Sequence, residues 1–196
     1  MTRVELEHVR RALSPEAEPL RPSDEGGYAA VAAVLRPGSR GAEVLLIRRA
    51  EHEGDPWSGH MAFPGGRFDP EDEHLLATAL RETLEEVGLD LARSARLLGA
   101  LAPLPAIARG RRVGMTIAPF VFELGDAVEL APNHEVVEAL WAPLSALDRG
   151  EGRTSVEYVF DGQKLELPAW DVDGRVVWGL TYRMLESLLE RVRVVR

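Results

Sequence analysis

The chain has 196 residues, a length that suits one folded domain and lets about 70% of the unfolded surface be buried without staples. Having no cysteine, it has no disulfide, no thiolate metal site and no cysteine nucleophile. A formal charge of -9 with scattered arginines lacks the basic stripe of a nucleic-acid binder, although an acidic protein still meets polyphosphates where divalent cations bridge the two.

The segment Met1–Leu13 is charged throughout, without the apolar run of a signal peptide. No stretch approaches the roughly 18 apolar residues of a membrane-crossing helix. A cytoplasmic protein with neither membrane nor nucleic-acid partners is expected. Val4, Leu6, Val9 and Leu13 fall at helical spacing, and 14–27 is rich in Ser, Pro, Glu and Gly. Residues 1–27 therefore read as a helix and linker ahead of a domain over 28–196.

Tyr28–Leu35 and Glu43–Arg48, around the turn residues 37–41, predict a β-hairpin. Residues 51–61 are polar and turn-rich. Asp69–Asp72 reads as a turn and helix start. Leu75, Leu76, Ala79, Leu80, Thr83 and Leu84 continue at helical spacing, and Gly88 marks the stop. Leu97–Leu104 and Thr116–Leu124 read as strands, with Pro105 and the arginines around Gly110 in a mobile loop between them. Val136–Trp141 reads as a further strand. Ser155–Phe160 and Lys164–Leu167 form a hairpin across Asp161-Gly162, and Leu180–Val194 a closing helix. Strands and helices alternate without a regular βαβ rhythm, which predicts an α+β fold or an α/β/α sandwich with a mixed β-sheet.

The chemistry concentrates in one helix. Glu82, Glu85 and Glu86 stand at i, i+3 and i+4, so their carboxylates share a face. In isolation each such pair costs a few tenths of a kcal/mol. A hard divalent cation reverses that sign, because Mg²⁺ takes oxygen ligands and sits between carboxylates and phosphates. Arg81 can hold a carboxylate with its forked guanidinium. Thr83, Leu84 and Leu80 can point toward the sheet. Gly65-Gly66 permits a tight loop whose carbonyls could add a metal ligand. For the three glutamates alone, a solvated acidic face is the simpler reading; the glycine loop shifts the balance.

Arg81-Glu82-Thr83-Leu84-Glu85-Glu86-Val87-Gly88-Leu89 resembles the second half of the Nudix box, R-E-U-x-E-E-x-G-U with U apolar, and Gly65-Gly66 resembles its opening. Asp72 stands where the box usually has Glu, one residue further than usual separates it from Arg81, and Thr83 occupies an apolar position. The Gly-Gly-x-x-Asp-Pro-x-Asp opening, with its extra residue, resembles the coenzyme A diphosphatase branch. The resemblance implies a Nudix-type α/β/α sandwich that hydrolyses a nucleoside diphosphate linked to another moiety. It implies Mg²⁺ as cofactor, with Mn²⁺ as substitute. Glu82, Glu85 and Glu86 would be metal ligands, joined by Gly66, and Arg81 would serve the catalytic machinery beside Glu82 and Glu86.

Leu45–Ala50 and Ala62–Gly66 resemble the approach to the box in the same branch, but Asp55–Met61 departs from its basic-and-histidine pattern. Arg48 and Arg49 are candidate phosphate clamps, one of them facing solvent. Trp57 either stacks on a base or anchors its loop. Arg67 is a further candidate for substrate. Asn133–Leu144 resembles the N-x-E-V-x-x-x-x-W/F-x-P-L element, making Glu135 the candidate extra ligand or general base, with Glu138 as its substitute. His60 and His134 read as polar surface residues. Val176–Arg183 resembles the W-G-x-T start of a last helix, with Thr181 as a cap and Trp178 packed beneath the sheet. The partner implied is a small nucleotide diphosphate, and a homodimer is left open. The competing readings are a broad dinucleotide, nucleotide-sugar or nucleoside triphosphate hydrolase, and a sensor that binds a nucleotide without cutting it.

Overall fold

Strands β1 (Gly27–Gly38) and β2 (Gly41–Arg49) carry nearly unbroken apolar runs, as strands covered on both faces do. A computed structural model describes residues 3–14, 27–108, 110–126 and 128–196. In it Ala33, Leu35, Val44 and Leu46 enter one core, while Ala32, Val34, Leu45 and Ile47 enter the other. The period-two alternation of a strand therefore feeds two cores from one sheet.

The main sheet is mixed. β1 pairs antiparallel with β2 and with β4 (Gly65–Arg67), and parallel with the long β7 (Arg111–Leu124). β3 (Met61–Ala62) and β8 (Val136–Pro143) pair with β2, and β5 (Ala95–Ala100) and β6 (Leu104–Ala108) with β7. One face is covered by α2 (Leu75–Val87) and α3 (Leu91–Ser94) through Leu75, Ala79, Val87 and Leu91. The other is covered by α1 (Leu6–Ala12), α4 (Leu144–Asp148) and α5 (Gly179–Val195), with β9 (Arg153–Phe160), β10 (Gln163–Val172) and β11 (Arg175–Trp178) forming a smaller antiparallel sheet beside α5. This is the α/β/α sandwich with a mixed sheet. Among the described residues no helix is long and apolar enough to cross a membrane.

The structure corrects several expectations. The expected strand Leu97–Leu104 is two strands, broken where Leu101 N–H bonds to the Pro119 carbonyl. The expected mobile loop is instead the β6–β7 hairpin, in which Ala108 faces Arg111. Arg109 and most of the expected linker lie outside the described residues. Helix α2 starts at Leu75 rather than within 69–72, because His74 accepts the Ala77 N–H at 3.0 Å as its N-cap. Leu84 is 48% exposed and does not face the sheet.

Thr181 does not cap α5. Its buried hydroxyl donates to the Met61 carbonyl at 3.0 Å and ties the helix to β3. Nor does Trp178 pack beneath the sheet. It stands between His60 and Tyr158, with ring centroids 4.8 and 5.8 Å away.

Candidate active site

Helix α2 packs against β4, and the Glu82 carboxylate occupies the space that a side chain at Gly66 would fill. A Cβ there would sit 2.5 Å from the Glu82 carboxyl carbon, so any side chain at 66 would displace that carboxylate. The helix ends at Gly88, whose φ of 69° is the left-handed conformation of a C-terminal glycine. Between these points Ala79, Thr83 and Val87 face the core, and Thr83 satisfies its hydroxyl on the Ala79 carbonyl at 2.7 Å. The turn that buries them swings Glu82 and Glu86 toward the sheet edge.

Glu86 is 2% exposed. Its carboxylate accepts the Gly65 N–H at 2.8 Å, while the nearest cation, Arg49 Nη1, is 3.9 Å away. Burial pushes its pKa up to about 7; the charges of Glu82 and Glu135 add to the rise, while Gly65 and Arg49 oppose it. Burial also raises Glu82, against the opposing pull of Arg81. Of the two, Glu86 is the one without a cation in hydrogen-bond contact.

Arg81 braces the helix from behind. Its Nε and Nη2 make a fork on Asp72 at 3.0 and 2.9 Å, and Nη2 also reaches the Arg67 carbonyl at 3.2 Å. Nη1 bonds Glu82 at 2.9 Å and Glu85 at 3.3 Å. The guanidinium, helped by the Thr78 hydroxyl, holds the Asp72 carboxyl down at about 2. The extra residue before Arg81 thus leaves Asp72 able to make a complete fork.

Glu82, Glu86, Glu135, Arg49, Gly66 and Arg67 line one cavity of about 420 Å³, with Trp57 in its wall. Trp57 is held by its indole N–H on the Ile107 carbonyl at 3.3 Å. Arg49 is positioned by Asp55 at 3.0 Å, and its buried Nε has no partner. Sequence reading missed Asp55; nothing marks a loop aspartate as the partner of a strand arginine. It also missed the cavity's His60–Trp178 wall, where burial lowers the His60 pKa.

Other candidates lie elsewhere. Arg48 is 3.6 Å from Glu138, which Arg175 also grips, and both face a separate cleft. The Glu85 side chain is 53% exposed and held on Arg81. His134 is at the surface. Among the described residues no three acidic or histidine side chains already stand as a metal-holding group. The donors nevertheless fit a hard divalent cation in kind: Glu82 and Glu86 offer carboxylate oxygens in a buried site that disfavours their own charge.

Residues 27–161 match the NUDIX domain. The chain is 31% identical over 177 residues to an uncharacterized Nudix hydrolase NudL of Photorhabdus laumondii, covering 90% of each. It is 40% identical over 117 residues to an uncharacterized protein of Schizosaccharomyces pombe, covering 58% of this chain but only 36% of that longer protein. Among solved structures, the NUDIX domain of Shewanella oneidensis NrtR complexed with ADP ribose has a TM-score of 0.51 at 19% identity, over 99% of this chain and 98% of the other. A two-layered helical cover on a mixed sheet, a glutamate helix on its glycine strand and a match over most of the chain converge: the chain belongs to the NUDIX family and is a hydrolase of pyrophosphate bonds.

Proposed function

We propose that the chain uses Mg²⁺, with Mn²⁺ as a substitute, to hydrolyse the diphosphate of a nucleoside diphosphate conjugate, coenzyme A or a derivative of it. The observation that carries this reading is the convergence of Glu82, Glu86 and Glu135 with Arg49 on one cavity. Hydrolases of this family use divalent metal ions. Glu82, Glu86 and the Gly66 carbonyl are the donors for such an ion, and Glu85 joins them only by leaving Arg81. When bound, the ion supplies charge neutralisation at the diphosphate and acidifies a water.

The chain's own residues do the rest. Arg49, anchored by Asp55, lines the cavity and offers its guanidinium to a phosphate oxygen. Arg67 lies along the same wall, and Trp57 offers a fixed indole for stacking. Glu135 is the base that takes the proton of the attacking water; Glu138 is held by two arginines and is not free for that role. Attack at one phosphorus, with departure of the bridging oxygen, gives two monophosphates.

The test is release of monophosphates with Mg²⁺ from coenzyme A, NADH, dinucleoside polyphosphates, 8-oxo-dGTP and ADP-ribose. ADP-ribose is included because the NrtR neighbour binds it. Turnover of coenzyme A ahead of the others supports the reading, and saturable binding with no turnover of any conjugate replaces it with a sensor.

A further inference from the structure

Consecutive side chains of a strand point to opposite sides, and the end of β2 applies this to two arginines. The first cavity, at Glu82 and Glu86, has Arg49 in its wall. Arg48 instead lines a separate cleft of about 500 Å³, together with Gly59, His60, Glu138, Arg175 and Trp178. The two spaces share His60, Met61 and Trp178, so one wall has a guanidinium on each side.

The charges of the cleft do not cancel. Arg175 spends all three guanidinium nitrogens. Its Nε donates to Glu138 at 3.1 Å, Nη2 donates to the same carboxylate, and Nη1 donates to the Asp173 carbonyl. That fork neutralises Glu138. Arg48 Nε stops 3.6 Å from Glu138, outside hydrogen-bond reach, and the Arg48 side chain stays 39% exposed. Two arginines against one carboxylate leave one positive charge, and Arg48 carries it with its donors open to the cleft.

We propose that this cleft binds a phosphate separate from the hydrolysed diphosphate, with the Arg48 guanidinium as its main donor. The inference rests on reading the first cavity as the diphosphate site. A guanidinium meets two phosphate oxygens at once and stays charged at any working pH. His60, on the shared wall, borders the same space. A conjugate with its diphosphate at Glu82 and Glu86 turns past His60 and Trp178 to bring such a group to Arg48. The phosphate comes either on the conjugate, as a monoester remote from the diphosphate, or free from solution. Both forms ask for the same donors.

The experiment compares coenzyme A, which carries a phosphate besides its diphosphate, with 3′-dephospho-coenzyme A, which lacks it. Turnover with Mg²⁺ and affinity by titration calorimetry are read for wild type, Arg48→Gln and Glu138→Gln, and inorganic phosphate is titrated into each. Arg48 stands partly in solvent, so its glutamine variant is expected to fold. If the phosphate is the conjugate's own, kcat/KM in wild type should favour coenzyme A about tenfold, expressed in KM. That ratio should fall to about one in Arg48→Gln and rise in Glu138→Gln, where the competing carboxylate charge is gone. A purely structural Arg48 would not move the two variants in opposite directions. If the phosphate is free, the ratio is about one in wild type, and inorganic phosphate binds with an affinity that Arg48→Gln loses.

The same ratio and the same phosphate affinity in wild type and Arg48→Gln would overturn the inference and, with turnover retained, leave the diphosphatase reading standing. A parallel loss in Arg48→Gln and Glu138→Gln would also overturn it, because that marks a broken ion pair. Tighter binding of coenzyme A, lost in Arg48→Gln, with no turnover of either conjugate, would support the cleft and remove the diphosphatase reading.

Discussion

Two arginine–carboxylate pairs flank helix α2, and they sit in opposite electrical states. Asp72 takes a full fork from Arg81, the Thr78 hydroxyl and the Asp69 N–H, and its carboxyl is held at about 2. Glu86 takes one backbone N–H, keeps Arg49 at 3.9 Å, and is pushed up to about 7. Both carboxylates are largely out of water. The difference is how far each is paired: the fold neutralises Asp72 from within, while the charge of Glu86 is left for something that arrives. Desolvation without compensation is a feature of sites that do chemistry, and complete pairing is a feature of scaffolding.

The largest effect should come from Glu86→Gln. Its amide keeps an oxygen for the Gly65 N–H but removes the charge, and turnover with Mg²⁺ should fall by about two to three orders of magnitude. Full activity would remove Glu86 from the site. The same variant should be more stable than wild type without metal at pH 8. A folded pKa near 7 against an ordinary 4.5 means that stability is complete below 4.5 and is lost as pH rises through 7. The loss is about 3 kcal/mol at most. Urea titrations at pH 5 and pH 8 in chelator should show this slope in wild type and not in the variant, and Mg²⁺ should restore the wild-type loss.

Asp72→Asn tests the other pair and should reverse the sign. It breaks the fork and should cost about 2 kcal/mol at neutral pH. In wild type the Asp72 contribution is present above 3.8 and is lost as pH falls through about 2, so the variant's disadvantage should fade in acid. Activity should fall by about 10- to 100-fold, because Arg81 no longer fixes Glu82. A stability loss with unchanged turnover would mean that Glu82 keeps its place without the brace.

Arg49→Ala should raise KM about tenfold and move the acid limb of the pH–rate profile upward, since the cation opposing Glu86's rise is gone. An unmoved profile would show that the two do not communicate. The smallest effect is expected from Thr83→Val, which fills the apolar position of the box. The Thr83 hydroxyl bonds only within its own helix, so stability should change by less than about 1 kcal/mol and activity should stay the same.

The elements most visible in the sequence are those with a single physical cause. β1 and β2 are legible because both faces are buried, and the end of α2 because only a glycine turns there without strain. The start of α2 is hidden because a histidine imidazole does the work usually given to Ser, Thr or Asp. β6 is hidden because Pro105 and the nearby arginines look like breakers, whereas the long β7 simply offers an edge for them to pair with.

At the site, the meeting of Glu82, Glu86 and Glu135 in one cavity follows from residues the sequence singled out. Asp55 against Arg49, and Thr181 against Met61, join distant parts of the chain and leave no local pattern. Glu85 shares the helix face with the other glutamates, yet the fold gives it to Arg81 at the surface.

The Thr181–Met61 bond bears on how portable this machinery is. The matched span ends at 161, within the two-residue turn between β9 and β10, so a graft cut at that border would carry one arm of a hairpin without the other. It would also leave behind Leu180, Thr181 and Met184, which form part of the first cavity's wall. The smallest piece that can be transplanted with its chemistry intact therefore includes α5, and anyone borrowing the glutamate helix as a module borrows the C-terminal helix with it.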